Sequence, residues 1–175
     1  VSIPKQNNFL NTIKKMKTES LKLSKNILSL LEKNGIVIAT PIQKKIIPAV
    51  LAGRDVLAQS ETGSGKTISF AIPIIEQIQS TDNLVALILV PTRELCTQVT
   101  AEFVKFSHGK RLGITAVYGG VSIDNQIRKI KKTNIIVATP GRLIDLIDRK
   151  IVHLNKIKFL VFDEADRMLD MGFIH

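Results

Sequence analysis

The sequence has a single cysteine, Cys96, no tryptophan and one tyrosine, and aromatic residues make up only 5% of it. One cysteine excludes an internal disulfide framework and suits a reducing compartment; within a helix-like run it reads as a small core residue. So few aromatics argue against a platform on which nucleic-acid bases stack. No apolar run approaches the roughly 20 residues of a membrane span, and the N-terminus has no signal-peptide core. A soluble, cytoplasmic protein without a membrane partner is the expectation. Acidic residues are also scarce: 15 against 25 lysines and arginines, a net charge of +10 spread along the chain without an uninterrupted basic block. That excess favours a polyanionic partner, although a lysine-rich solubilising surface has the same composition. The oligomeric state has no signature here.

With 175 residues, 45% of them hydrophobic, the chain can bury one full core. From Val1 to about Met16 it is rich in Asn and Lys with isolated apolar residues, which predicts a basic arm over residues 1–17 ahead of one domain, 18–175. Apolar Leu23, Ile27, Leu28, Leu30 and Leu31 predict one amphipathic helix from Glu19 to Asn34, capped by Gly35. Thr40-Pro41 reads as an N-cap with proline at the first helical position.

Ser60-Glu61-Thr62-Gly63-Ser64-Gly65-Lys66-Thr67 lies between a β-like run, Asp55–Gln59, and a helix-like run starting near Lys66. It reads as a phosphate-binding loop, with Ser60 where the strict pattern has glycine. Gly63 and Gly65 allow the backbone N–H groups to turn inward, and the next helix adds partial positive charge. Lys66 supplies a point charge, and Thr67 can offer its hydroxyl to a magnesium ion on the same phosphates. A Gly/Ser-rich turn capping a helix is the bland alternative.

Downstream, short β-branched runs alternate with longer amphipathic ones, the pattern of an α/β fold with a parallel sheet covered by helices on both faces. The strands are predicted at 84–90, 114–118, 135–138 and 157–162. Each ends in a polar cluster: Pro91-Thr92-Arg93-Glu94, Gly119-Gly120, Thr139-Pro140-Gly141-Arg142 and Asp163-Glu164-Ala165-Asp166. Ligands bind along that edge of open α/β sheets. Asp163, held at a strand end beside the phosphate loop, can hold magnesium, and Glu164 can orient and deprotonate a water. Taken alone the two would read as an acidic helix N-terminus. His108, His153 and His175 read as surface residues.

These motifs, with Thr40-Pro41-Ile42-Gln43, resemble in order and spacing those of DEAD-box ATP-dependent RNA helicases, over Glu19 to the end. The run Asp163–His175 and Gly119–Ile123 look most like the bacterial RhlE group. The resemblance implies the N-terminal RecA-like P-loop NTPase domain, with ATP and Mg2+ as cofactors and RNA, single-stranded or duplex, held by its phosphate backbone. It implies that Gln43 reads the adenine edge and that Thr62, Gly63, Ser64, Gly65, Lys66 and Thr67 cradle phosphates. Thr67 and Asp163 would hold the metal, Glu164 with Lys66 and Asp163 would catalyse hydrolysis, and Pro91, Thr92, Arg93, Gly119, Gly120, Thr139, Gly141 and Arg142 would contact RNA. Where the family has aromatics, this chain has Thr18 and Ile36; Ala39 stands for a proline and Ser60 for an alanine.

The family also has a Ser-Ala-Thr strand after the acidic one and a second RecA-like domain with an arginine finger, whose loss typically costs about 10³ to 10⁵ in rate. A domain truncated after Asp163–Asp166 is therefore expected to hydrolyse ATP poorly alone, and to leave a slot in its sheet. The competing expectation is a non-catalytic RNA- or protein-binding module that keeps the motifs.

Overall fold

A computed structural model describes residues 18–61 and 63–173. The expected arm over 1–17, Thr62, and the terminal Ile174 and His175 lie outside the described residues. A 3-10 turn, Thr18–Leu21, leads into helices α1 (Lys25–Lys33), α2 (Pro41–Leu51) and α3 (Lys66–Gln77). There follow β1 (Ala86–Leu89), α4 (Arg93–Phe106), β2 (Ile114–Val117), α5 (Ile123–Ile130), β3 (Ile135–Ala138), α6 (Pro140–Asp148), β4 (Phe159–Phe162) and α7 (Ala165–Asp170). The strands form one all-parallel sheet in the order β2-β3-β1-β4.

Strand alternation divides the core into two layers. Ala86, Ile88, Ile135 and Val137 face α1 to α4, where Ile27, Ile72, Ile75, Val99 and Phe103 are sealed from solvent. Leu87, Ile136 and Ala138 face the other way, against Ile130 of α5 and Leu143 and Leu146 of α6. Burying each such aliphatic side chain is worth about 1.5–3 kcal/mol. Cys96 belongs to the first layer, with its thiol against the Val137 carbonyl at 3.1 Å; burial pushes its pKa up to about 11. The expected helices on both faces are thus present.

The helix ends follow local chemistry. Thr40 and Gln43 form a reciprocal capping box at the start of α2, with Pro41 in the first turn, and the helix runs past Pro48 to Leu51. After α1, Gly35 takes φ 73° while its N–H donates to the Glu32 carbonyl and that of Ile36 to the Leu31 carbonyl. Lys110 closes α3 by donating its ammonium to the carbonyls of Ile75 and Glu76, both at 2.7 Å.

Two expectations are corrected. The helix expected from Glu19 to Asn34 is broken, because Lys22 adopts φ 57° and Ser24 then caps a new helix by accepting the Ile27 N–H. The buried apolar residues are nevertheless the expected ones, with Leu23, Ile27 and Leu31 all in the core.

The strand expected at Asp55–Gln59 is not formed: 54–61 pairs with no strand, Leu57 is fully exposed and Val56 is 42% exposed. A β run is stable only with a neighbour to take its N–H and C=O groups, and none lies beside it. The same lack shows at β4, an edge strand whose Leu160 and Phe162 remain about half exposed, at 53% and 49%.

Candidate functional site

All four strands run in one direction, so their C-terminal ends deliver the polar clusters to one edge of the sheet. The loop before α3 reaches that edge by a left-handed turn, with Gly63 at φ 81° and Gly65 at φ 88°. Gly65 is the N-cap of α3, and no side chain caps this helix end. The four leading N–H groups of a helix lack intrahelical partners, so an uncapped, twelve-residue helix here favours an anion. Lys66 curls back over the loop and donates to the Ser60 carbonyl at 2.6 Å, and the hydroxyls of Ser60 and Ser64 share a hydrogen bond at 2.8 Å. Thr67 is partly buried in the first turn of α3.

Asp163 continues the β4 ladder, its N–H donating to the Leu89 carbonyl at 2.9 Å, which fixes its carboxylate just past the strand. Its carboxyl titrates above the ordinary aspartate range, first because of burial and then because of the adjacent Glu164 charge, with the Lys66 ammonium opposing both. Lys66 and Asp163 are therefore electrostatic neighbours although 97 positions apart. Glu164 sits at φ 53°, a conformation uncommon for a residue with a side chain. That turn sends its carboxylate away from the strand toward Arg167, 3.5 Å away in the next helix.

Gln43 is buried at 2% exposure, and its carboxamide lies over the loop: Oε1 accepts the Thr40 N–H at 3.0 Å and Nε2 donates to the Gly65 carbonyl at 3.4 Å. Ile36 packs partly buried against the core, and Thr18 is buried with its hydroxyl donating to the Val37 carbonyl at 3.3 Å.

A second group lies along the same edge. Pro91, Thr92, Arg93, Gly119, Thr139, Gly141 and Arg142 line one cavity of about 580 Å³. Thr92 caps α4 by accepting the Leu95 N–H at 3.2 Å, which sets Arg93 in the first turn. The Arg93 guanidinium lies directly over Gly120, at φ 80°, filling the space that a Cβ would take. Arg142 is held by three partners: the Val121 carbonyl at 3.2 Å, Gln126 Oε1 at 3.3 Å and the Asp145 carboxylate at 3.8 Å. The cavity also has residues that sequence reasoning missed, notably Met171 and Phe173, which form an apolar wall. Their spacing after α7 carried no signal, since only the tertiary fold swings them across to α6.

Among the described residues no three His, Cys, Asp or Glu side chains cluster to hold a metal ion by themselves, and no helix is long and apolar enough to cross a membrane. A cation here would have to share its coordination with another group, and the Asp163 carboxylate beside Lys66 suits a metal that arrives with phosphates.

Comparison with known proteins agrees with this geometry. The DEAD/DEAH box helicase family model matches residues 40–175. An RNA helicase, CrhR, of Synechocystis is 52% identical over 155 residues, covering 88% of this chain and 32% of its own length. The DEAD-box ATP-dependent RNA helicase CshA of Bacillus subtilis is 45% identical, covering 89% of this chain and 32% of its own. The crystal structure of a DEAD box protein from Methanococcus jannaschii superposes with a TM-score of 0.88 at 46% identity, over 91% of this chain and 44% of that one. The sheet and its flanking helices thus have the RecA-like fold of those proteins, and the chain spans about a third of the length of these curated relatives. With the loop before α3, the acidic turn after β4 and the cavity of β1 to β3 all on one sheet edge, the chain belongs to the DEAD/DEAH box helicase family.

Proposed function

We propose that this chain is the ATP-binding half of an ATP-dependent RNA helicase, remodelling RNA locally when joined to a second RecA-like domain, in the cytoplasm. The observation that carries the reading is the convergence of Lys66, Asp163 and an uncapped helix start at one point of the sheet edge. This pairs an anion site with a carboxylate that gains from a cation.

When bound, ATP supplies the phosphoryl group and Mg2+ the charge that neutralises it. Lys66 would turn its ammonium from the Ser60 carbonyl to phosphate oxygens, and the Gly63–Gly65 backbone would donate to the same anion. Thr67 and Asp163 would hold the metal, and Gln43 would read the adenine edge with one donor and one acceptor. Glu164 would orient the attacking water and take its proton. Arg93, Thr139 and Arg142, with the Gly119–Gly120 backbone, grip RNA phosphates in the cavity; Pro91, Thr92 and Gly141 shape its wall. Such contacts give affinity without base preference.

Binding of a fluorescent ATP analogue by this chain, with and without Mg2+, tests the reading. Metal-dependent binding that Lys66→Ala abolishes supports it; binding indifferent to both Lys66 and metal sinks it.

A further inference from the structure

The opposite edge of the sheet has cavities of its own. A cavity of about 690 Å³ lies under the N-terminal ends of the strands, and a second of about 410 Å³ adjoins it, both sharing Asp82, Asn83, Asn155 and Lys156. Residues on their walls immediately precede all four strands: Gly113 before β2, Asn134 before β3, Val85 before β1 and Lys158 before β4. With strands about 4.8 Å apart, three spacings make a trough about 14 Å long.

Six cations line it: Arg111, Lys131, Lys132, Lys150, Lys156 and Lys158. All are exposed, and none is ion-paired among the described residues. The one acid, Asp82, turns its carboxylate to the Gln79 N–H at 2.8 Å. The floor is rigid: Asn134 Oδ1 accepts the Gly113 N–H at 2.7 Å while its amide nitrogen donates to the Asp82 carbonyl. No Phe, Tyr or Trp lines either cavity, and the one ring in the wall is the His153 imidazole. A solubilising surface intersperses both signs of charge, whereas this concave strip carries nearly one.

Backbone conformation adds an independent observation. Four non-glycine residues have positive φ among those described, and two of them, Arg111 at 54° and Lys150 at 58°, line this trough. Lys150 follows the C-cap of α6, where its N–H donates to the Ile147 carbonyl. Glycine is the ordinary residue there because it bears no left-handed penalty. The chain instead holds a cation at that position.

We propose that this trough is a second binding site for the phosphate backbone of RNA, on the sheet edge opposite the cavity of Arg93 and Arg142. Its length favours an extended polyanion over a compact one, and its lack of Phe, Tyr and Trp, with cations as the main recognising groups, predicts indifference to sequence. It shares with the proposed function only the class of ligand, and strands of four residues separate the two edges by about 13 Å.

The test is fluorescence anisotropy of a labelled 20-nucleotide oligouridylate with this chain, between 50 and 200 mM salt. The variant K131E/K132E/K156E is expected to weaken binding at least tenfold at low salt and to flatten the slope of log K against log salt by about 2, at roughly 0.7 per phosphate contact. The variant K25E/K33E/K45E makes the same charge change on exposed positions of α1 and α2, and is expected to weaken binding much less. Lys150→Gly is expected to weaken binding severalfold while the melting temperature holds or rises, a pair of signs that a structural role for Lys150 would not produce. Unchanged affinity and slope in the trough variant, or an equal loss in the α1–α2 variant, would overturn the proposal. So would weakened binding of inorganic tripolyphosphate with RNA affinity intact, which would make the trough a compact-anion pocket. Failure of Arg93→Ala to weaken RNA binding would count against the opposite edge and leave this one standing.

Discussion

Gln43 and Gly65 are locked together across 22 positions of sequence, the carboxamide nitrogen donating to the glycine carbonyl at 3.4 Å. Because the same side chain closes the capping box of α2, the start of that helix and the loop before α3 are one mechanical unit. A Cβ added at Gly65 would stand 2.5 Å from Gln43 Nε2, and the glycine is at φ 88°.

Gly65→Ala is therefore expected to cost about 1–2 kcal/mol from the left-handed backbone alone, and to displace Gln43. Thermal melting should show the loss, and ATP-analogue affinity should fall at least tenfold. Gln43→Ala should lose about 1 kcal/mol with its half of the capping box, and should weaken ATP more than it weakens a pyrophosphate probe, which has no adenine.

Gly120→Ala is expected to push the Arg93 guanidinium off the glycine it covers. The distal end of a flexible side chain can move, so the fold should survive with a cost of about 1 kcal/mol from φ 80°. RNA affinity should drop by a factor comparable to that of Arg93→Ala, and the double variant should show little further loss, since both act through one guanidinium.

The raised carboxyl of Asp163 makes stability depend on pH. Its folded-state pKa lies above the ordinary 3.8, so between those values the folded state holds the proton more tightly and stability falls as pH rises through that window. Asp163→Asn should raise the melting temperature at pH 7, where the charge is present, and the gain should vanish below the ordinary value, where both states are protonated. The same substitution should abolish metal-dependent nucleotide binding. No stabilisation at pH 7 would mean that burial and Glu164 do not burden this carboxylate.

Much of this was legible locally. A capping threonine before proline, glycines around a loop, and polar residues after β-branched runs are chemistry read within a few positions, and Thr40, Gly65 and Asp163 stand where those signals put them. What failed was non-local. Asp55–Gln59 has the composition of a strand, but pairing depends on a neighbour, and none is beside it. Lys22 breaks the first helix against its apolar periodicity because Ser24 offers a better start. Met171 and Phe173 join the Arg93 cavity only through the path of the chain after α7.

The half-exposed Leu160 and Phe162 on the open edge of β4 make this chain prone to self-association. Light scattering should show aggregation rising with concentration. Leu160→Lys, which places a charge on that edge, should suppress it at a cost of no more than about 0.5 kcal/mol of stability, the usual range for surface substitutions.

The most direct measurement is steady-state ATP turnover with and without single-stranded RNA, for this chain, for a chain extended through a second RecA-like domain, and for Glu164→Gln in each. The account predicts little turnover from these 175 residues alone and RNA-stimulated turnover from the extended chain that Glu164→Gln removes. Strong Glu164-dependent turnover from this chain by itself, or turnover in the extended chain indifferent to both RNA and Glu164, would contradict it.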